Sequence, residues 1–290
     1  MTYELIFAAL TFVLMAGLQS AVPLVFAGIG GALSAQVNVF NLGLEGMMIA
    51  GAFFGFTASH LTGSALVGLG IGALAGLMVA WIFAFATVSL KADEIIVGFV
   101  LNLALIALTA VLLPAFFGAT GQFVSMDAGM IPKIFGSMDP LMFLAALLVV
   151  WGHWFVYRTK TGLRMRAAGG NEAAASAAGV DVAAYRYRAL LIGGALAGIG
   201  GAYLPLSGLS MFTLGMTAGM GFIAVSAVLF GDGKPFVVGL AALIFSFAGA
   251  ATIPFQRFGL PSEFALVLPY LFTACAVSLK VIRKNQRAAG

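Results

Sequence analysis

Few side chains in this 290-residue chain could do chemistry, because only 8% of its residues are charged. Glu45 stands close behind Asn38 and Asn41 in VNVFNLGLEG, and Asn102 is isolated within EIIVGFVLNLALI. No nucleophile is paired with a base, so no catalytic residue is expected. His60 and His153 lie near the ends of separate apolar runs with no carboxylate or cysteine at ligand spacing, which reads as interfacial or packed histidine rather than a metal centre. Gly233-Lys234 resembles the end of a phosphate-cradling loop, but that loop needs Gly at 228 and a hydroxyl at 235, where Val228 and Pro235 stand. The chain is therefore expected to bind no cofactor or metal of its own. Cys275 is the single cysteine and sits in an apolar run, which excludes an intrachain disulfide.

The polar residues inside apolar runs carry more weight, since hydrocarbon offers them no water and a charge at its centre costs roughly 2.5–3.5 kcal/mol or more. Asn102 lies eight residues into its run and fits two readings. Its amide can donate and accept at once, which suits a hydroxyl-rich or base-bearing solute, or it can hydrogen-bond a neighbouring helix. Glu45, with Asn38 and Asn41, reads either as part of a broken helix lining a path or as a charge at the membrane interface, near the end of its span. Gln19, Ser207, Thr217 and Ser226 are weaker candidates of the same kind.

The elements that position these residues are membrane spans. Hydrophobic residues make up 62% of the chain, against roughly 45–50% in soluble domains. At ~20 residues per crossing the sequence reads as one all-α polytopic membrane domain over 1–290, with about nine transmembrane helices in a range of eight to ten. The runs are 5–32, 43–60, 63–90, 95–117, 141–157, 190–207, 217–230, 236–251 and 263–279. The first is interrupted by Pro23, Gly28, Gly30 and Gly31, which predicts a kinked or broken span. It reads as a retained span, since no positive stretch or cleavage site accompanies it. Gly68, Gly72 and Gly76 share one helix face, as do Gly194 and Gly198, and each face allows close helix approach.

Residues 158–188 form the one substantial polar island. Arg158, Lys160, Arg164, Arg166, Arg186 and Arg188 fall there, six of the chain's 14 Lys and Arg, and assign the loop to the cytoplasm. Alternating nine spans from it puts twelve basic residues inside and leaves only Lys133 and Arg257 outside, with the C-terminus cytoplasmic. The first forty residues contain no Lys or Arg, so a first region that crosses twice, giving ten spans, stays open. Within the island GGNEAAASAAG predicts a short helix, with Asn171 as its N-cap, Glu172 in the first turn and Gly179 as its stop.

GLRMRAAGGNEAAASAAGVDV and GGALAGIGGAY, together with VFNLGLEGMMIAGA, ADEIIVGFVLNLALI and GFIAVSAVLFGDGKPFVVGLAALIF, resemble the permease subunits of bacterial ATP-binding-cassette importers for simple sugars and nucleosides, the branched-chain amino acid/ribose-type permease family. The resemblance runs from about residue 20 to about 247 and is nearest to the nucleoside-type permeases. It implies a subunit of the inner membrane that moves a nucleoside or simple sugar while a separate cytoplasmic ATPase binds ATP and Mg. It further implies a second permease, either a longer related chain or an identical one, and an extracytoplasmic solute-binding protein. The central helix becomes a coupling helix, with Arg164, Arg166, Gly169, Gly170, Asn171, Glu172, Ala173, Ala174 and Gly179 as its contact residues, and Asn38, Asn41, Glu45 and Asn102 become candidates for the path. An ion-coupled secondary transporter is the alternative, but that mechanism places ionisable groups within spans, and the acids here map almost entirely to loops or span ends. Nucleic-acid binding has no support, because the basic residues lie at membrane boundaries.

Overall fold

The computed structural model describes residues 2–134, 136, 138–208 and 210–256. The chain runs through α1 (Thr2–Gln36), α2 (Leu44–Thr62), α3 (Ala65–Ala84) with a π-helical turn at Phe85–Ser89, and α4 (Glu94–Phe117). After β1 (Gln122–Val124) come α5 (Pro140–Arg158), α6 (Lys160–Gly170), α7 (Glu172–Ala177) and α8 (Val182–Leu206). Then follow β2 (Met211–Thr213), α9 (Met220–Phe230) and α10 (Pro235–Gln256).

Among the described residues six helices are long and apolar enough to cross a membrane: α1, α3 with its π turn, α4, α5, α8 and α10. The nine expected spans differ from this for physical reasons. α9 has 11 residues, or ~16 Å at 1.5 Å per residue, about half of a ~30 Å hydrocarbon core. α2 has the length of a span, with 19 residues, but opens behind a non-helical stretch, residues 37–43. The expected run 263–279, with Cys275 and the basic tail, lies outside the described residues.

Three further expectations are corrected. The first region is one continuous helix with Pro23 inside it, so it neither breaks nor crosses twice. Its glycines serve close packing instead, since a Cβ on Gly30 would fall 2.5 Å from the Gly193 carbonyl oxygen. The polar island is mostly helical, because α8 begins at Val182, eight residues before the expected start. The fold is also not wholly α: β1 and β2 pair antiparallel, Phe123 opposite Phe212. Strands of three residues show no readable periodicity, and this pair is separated by four helices.

α8 is the central packing element, flanked by α1, α2 and α3. A Cβ on Gly198 would fall 2.2 Å from the Gly72 carbonyl oxygen, and one on Gly194 would fall 2.2 Å from the Ala80 Cβ. Without a water-driven hydrophobic force between helices, such close backbone approach supplies the van der Waals contact that holds them together. At the opposite end from α6 and α7, Phe53, Phe56, Phe117, Phe123 and Phe212 interlock in edge and stacked contacts beside the β-ribbon. Gly70, by contrast, has nothing within 4 Å of a built Cβ. Gly198→Ala should lower the thermal midpoint of the detergent-solubilised chain by about 1–3 kcal/mol of overpacking, while Gly70→Ala holds or raises it through helix propensity. Equal midpoints for the two variants would refute this packing assignment.

Candidate functional site

Two regions concentrate polar chemistry, one inside the bundle and one at its basic end. The interior region starts where α1 ends. Its last turn closes with Val37 and Val39 N–H groups donating to the Ser34 carbonyl, and Asn38 takes a left-handed φ of 56°. The chain then runs back into the bundle without helix. The Phe40 N–H donates to the Glu94 carboxylate, and the Asn41 side-chain oxygen accepts from the Gly43 N–H at 3.1 Å. Buried backbone of this kind needs partners, and Asn102 supplies two. Its Nδ2 donates to the Leu42 carbonyl at 3.0 Å and its Oδ1 accepts the Gly46 N–H at 2.7 Å. Asn102, at 3% exposure, thus satisfies both sides of the break before α2. Of the two sequence readings it makes the interhelical bond.

Glu45 is 4% exposed. It is held inside the bundle, because the unwound stretch 37–43 carries the start of α2 in from the end of α1. Its Oε1 accepts the Thr217 hydroxyl at 2.6 Å and the Gly219 N–H at 3.0 Å, and its Oε2 accepts the Gly221 N–H at 2.7 Å. All three partners are donors, and all lie at the start of α9. The carboxylate therefore sits in the first turn of α2 and against the N-terminus of α9, so the positive ends of two helix dipoles face it. The four N-terminal N–H groups of α9 are fully accounted for: Gly221 by Glu45, Met220 by the Thr217 carbonyl, Phe222 and Ile223 by the Gly219 carbonyl. Gly219 has φ 80°, and a Cβ on Gly221 would fall 2.5 Å from the Glu45 backbone. Glycine at both positions lets α9 come this close.

Glu45, Asn102 and Thr217 floor a cavity of about 330 Å³ between α2, α4 and the strap 214–219, walled by Phe99, Ile106 and Phe222. Asn41 lines a separate pocket of about 20 Å³ between the end of α1 and α9. Asn38 is exposed and does not line the cavity with Glu45 and Asn102. Thr217, a weak candidate from sequence, is a full member of the cluster. Ser207 and Ser226 hydrogen-bond carbonyls of their own helices, at Leu204 and Phe222. Gly219 and Gly221 gave no signal beyond lying among many glycines. His60 hydrogen-bonds Ser125 at 2.6 Å, and His153 packs on Tyr157 and Phe236.

At the basic end each helix is capped by its own sequence. Thr159 caps α6 through Gly162, Asn171 caps α7 through Ala174, and Asp181 caps α8 through Ala184. Ala168, Ala175 and Val182 make a small core beneath α7. Arg186 clamps Glu172 with contacts of 2.9 and 3.4 Å. Arg166 lies over the Tyr157 ring at 4.9 Å. Arg164 donates to the Tyr185 hydroxyl, a bond that raises the guanidinium further above its ordinary range. A Cβ on Gly169 would fall 2.2 Å from the Gln36 carbonyl oxygen, so α6 seats directly on the end of α1. Gly170, Asn171, Glu172, Ala173, Ala174 and Gly179 are exposed, and Gly179, at φ 79°, ends the turn.

The architecture is thus a helical membrane domain with a half-length helix, an open cavity with apolar walls and a polar floor, and a capped helical platform at one end. Residues 13–277 match the family described as the branched-chain amino acid transport system / permease component, and the chain belongs to it. It is similar to the nucleoside ABC transporter permease protein NupC of Lactococcus lactis, with 36% identity over 89% of this chain and 88% of that one. A putative glucose ABC transporter permease protein of Haloferax volcanii, TsgC13, is 33% identical over 93% and 92%. The guanosine ABC transporter permease protein NupQ of Bacillus subtilis is 30% identical over 93% and 92%.

Asn102→Leu leaves the Leu42 carbonyl and the Gly46 N–H unpaired in the interior, each costing about 1–3 kcal/mol. The expected result is a lower thermal midpoint of the purified chain, and an unchanged midpoint would show that these bonds do not hold α2 in place.

Proposed function

We propose that this chain is the membrane-spanning permease subunit of an importer that carries a nucleoside or a related simple sugar across the inner membrane, driven by ATP hydrolysis on a separate cytoplasmic subunit. The similarity to nucleoside and guanosine permeases over nearly the whole chain supports the nucleoside side of this reading, and the 33% identity to a putative glucose permease keeps the simple sugar within it. The cavity of about 330 Å³ is at the small end of the ~300–1,000 Å³ range of ligand sites.

On this reading the basic end faces the cytoplasm, as the positive-inside rule asks, and the C-terminus lies on that side. α7 and the end of α6 dock the ATPase. The carrying observation is Gly170. It is helical and exposed, and a Cβ there would meet nothing within 4 Å, although Gly in a helix costs about 1 kcal/mol relative to Ala. Among the described residues nothing packs on it, which leaves room for close approach of another protein's surface. Glu45 supports a second permease, related or identical. The cavity it floors is open beside α4, and a second permease seated there would keep the carboxylate away from lipid, where a charge is costly. A solute-binding protein then delivers from the ribbon end. Nucleotide closing the ATPase pair shifts the permease between outward- and inward-open populations through differential contact with α7. The ion-coupled alternative needs an ionisable group free to exchange its proton, whereas Glu45 is engaged by three fixed donors.

Replacing Gly170 with Trp, together with Glu172→Lys, should leave membrane insertion intact and abolish co-purification with the ATPase and ATP-dependent uptake in vesicles. Retained coupling would defeat the docking assignment. Wild-type uptake should require the ATPase and persist when the proton gradient is collapsed, and the reverse pattern would restore the ion-coupled reading.

A further inference from the structure

We infer that Glu45 is the charge filter of the cavity: it fills, from within the protein, the anion socket formed at the N-terminus of α9, and so reserves the path for solutes without a negative charge. The inference rests on the reading that this cavity lies on the solute's route.

A helix N-terminus with free N–H groups is a ready site for phosphate or carboxylate. Here the donors converge: the Thr217 hydroxyl and the Gly219 and Gly221 N–H groups lie 2.6, 3.0 and 2.7 Å from the two Glu45 oxygens. The occupant is an anionic group already, delivered by the chain itself, and it is 4% exposed while Thr217 is 1% exposed. With Glu45 in place the donors are spent. What the cavity then presents is an apolar wall with a small polar floor, and Glu45 is the one ionisable side chain among the described residues that line it. A carboxylate has about four lone-pair sites, of which three are used here, and the Thr217 oxygen has donated its proton and can still accept. Asn102 has one of its two amide protons on the Leu42 carbonyl and its oxygen on the Gly46 N–H. No Lys, Arg or His lines the cavity among the described residues.

Acceptors without cations suit a solute that donates, such as one rich in hydroxyl or amino N–H groups. A phosphate or carboxylate on the solute meets a fixed like charge in a poorly hydrated site and no cation to offset it. The filter therefore separates a nucleoside or free sugar from its phosphorylated form by a single residue, and leaves the size of the solute to the apolar walls at Phe99, Ile106 and Phe222.

The test removes the occupant. In purified full-length chain, Glu45→Ala should open the socket, and formate at matched ionic strength should then raise its thermal midpoint saturably by a few degrees, as expected of a ligand that binds only the folded state. Wild type and Glu45→Gln, whose sockets stay filled, should not respond. If Glu45→Ala accumulates poorly, Glu45→Ser leaves the same space open and is titrated in its place. A formate response no larger than that of wild type overturns the socket and the inference with it. In the assembled transporter, methyl phosphate should inhibit uptake of a labelled neutral solute by the variant at a concentration about tenfold lower than it needs against wild type. If formate binds but methyl phosphate inhibits both proteins alike, the socket is real and lies off the route. That outcome rejects the filter through the path reading, while absence of the formate response rejects it through the socket.

Discussion

The structure depends on one carboxylate that two helices share. A half-length helix such as α9 cannot hold itself: at 11 residues it is shorter than the ~12–15 residues at which isolated helices become even marginal in water. Its N-terminus also leaves N–H groups that the helix itself cannot pair. Glu45 solves both problems by accepting two N–H groups and the Thr217 hydroxyl. The same bonds solve Glu45's own problem, because a carboxylate is expensive in hydrocarbon and becomes tolerable between two helix N-termini and three donors. Neither partner is stable there alone, and together they set the floor of the cavity.

The walls follow from a different force. α1, α2, α3 and α8 meet through glycine faces with backbone in van der Waals contact, as Gly30 with Gly193 and Gly51 with Gly198 show, and such packing resists relative sliding because nothing compressible separates the helices. α4 is attached differently. It packs mainly on α2, with Gly98 close against Leu42 and Gly43, Asn102 bonded to the break before α2, and Glu94 holding the Phe40 N–H. The cavity thus lies between a tightly packed core and a helix attached to it chiefly at one stretch of chain.

Composition and charge made the membrane domain legible, because apolar runs of ~20 residues state their own environment. The capped helix at Asn171 was legible too, since capping is a local property that needs only neighbouring residues. The burial of Glu45 was not legible for a specific reason: its position was counted from the start of its span on the assumption that a span starts at the surface of the bundle. Residues 37–43 violate that assumption, and no local pattern announces a chain that re-enters the bundle unwound. Thr217, Gly219 and Gly221 escaped for a related reason. Their role depends on a partner some 170 residues away, and an α9 run that is apolar throughout reads as a full span unless its 11-residue length is known. Asn102 stood between two readings in the sequence, because an amide can serve a solute or a backbone equally well and its two backbone partners are distant in the chain.

If α7 is where a partner pushes, the path from there to the cavity is short and made largely of backbone. α7 is fastened to α8 by the Glu172–Arg186 pair and follows α6 after the single residue Asn171. α6 rests through Gly169 on the carbonyl of Gln36, and the Gln36 side chain donates to the Gly233 carbonyl just beyond the end of α9 at 2.7 Å. The end of α1 is thus joined at once to the platform, to the unwound stretch leading to Glu45, and to the far end of the helix whose start Glu45 caps. Displacement of the platform moves both ends of α9 relative to α2, and Glu45 is the bond that must either carry that motion or break. Backbone contacts transmit such displacement without the loss that flexible side chains would introduce. A residue that holds the cavity floor closed at rest is therefore also the residue on which the strain of turnover falls.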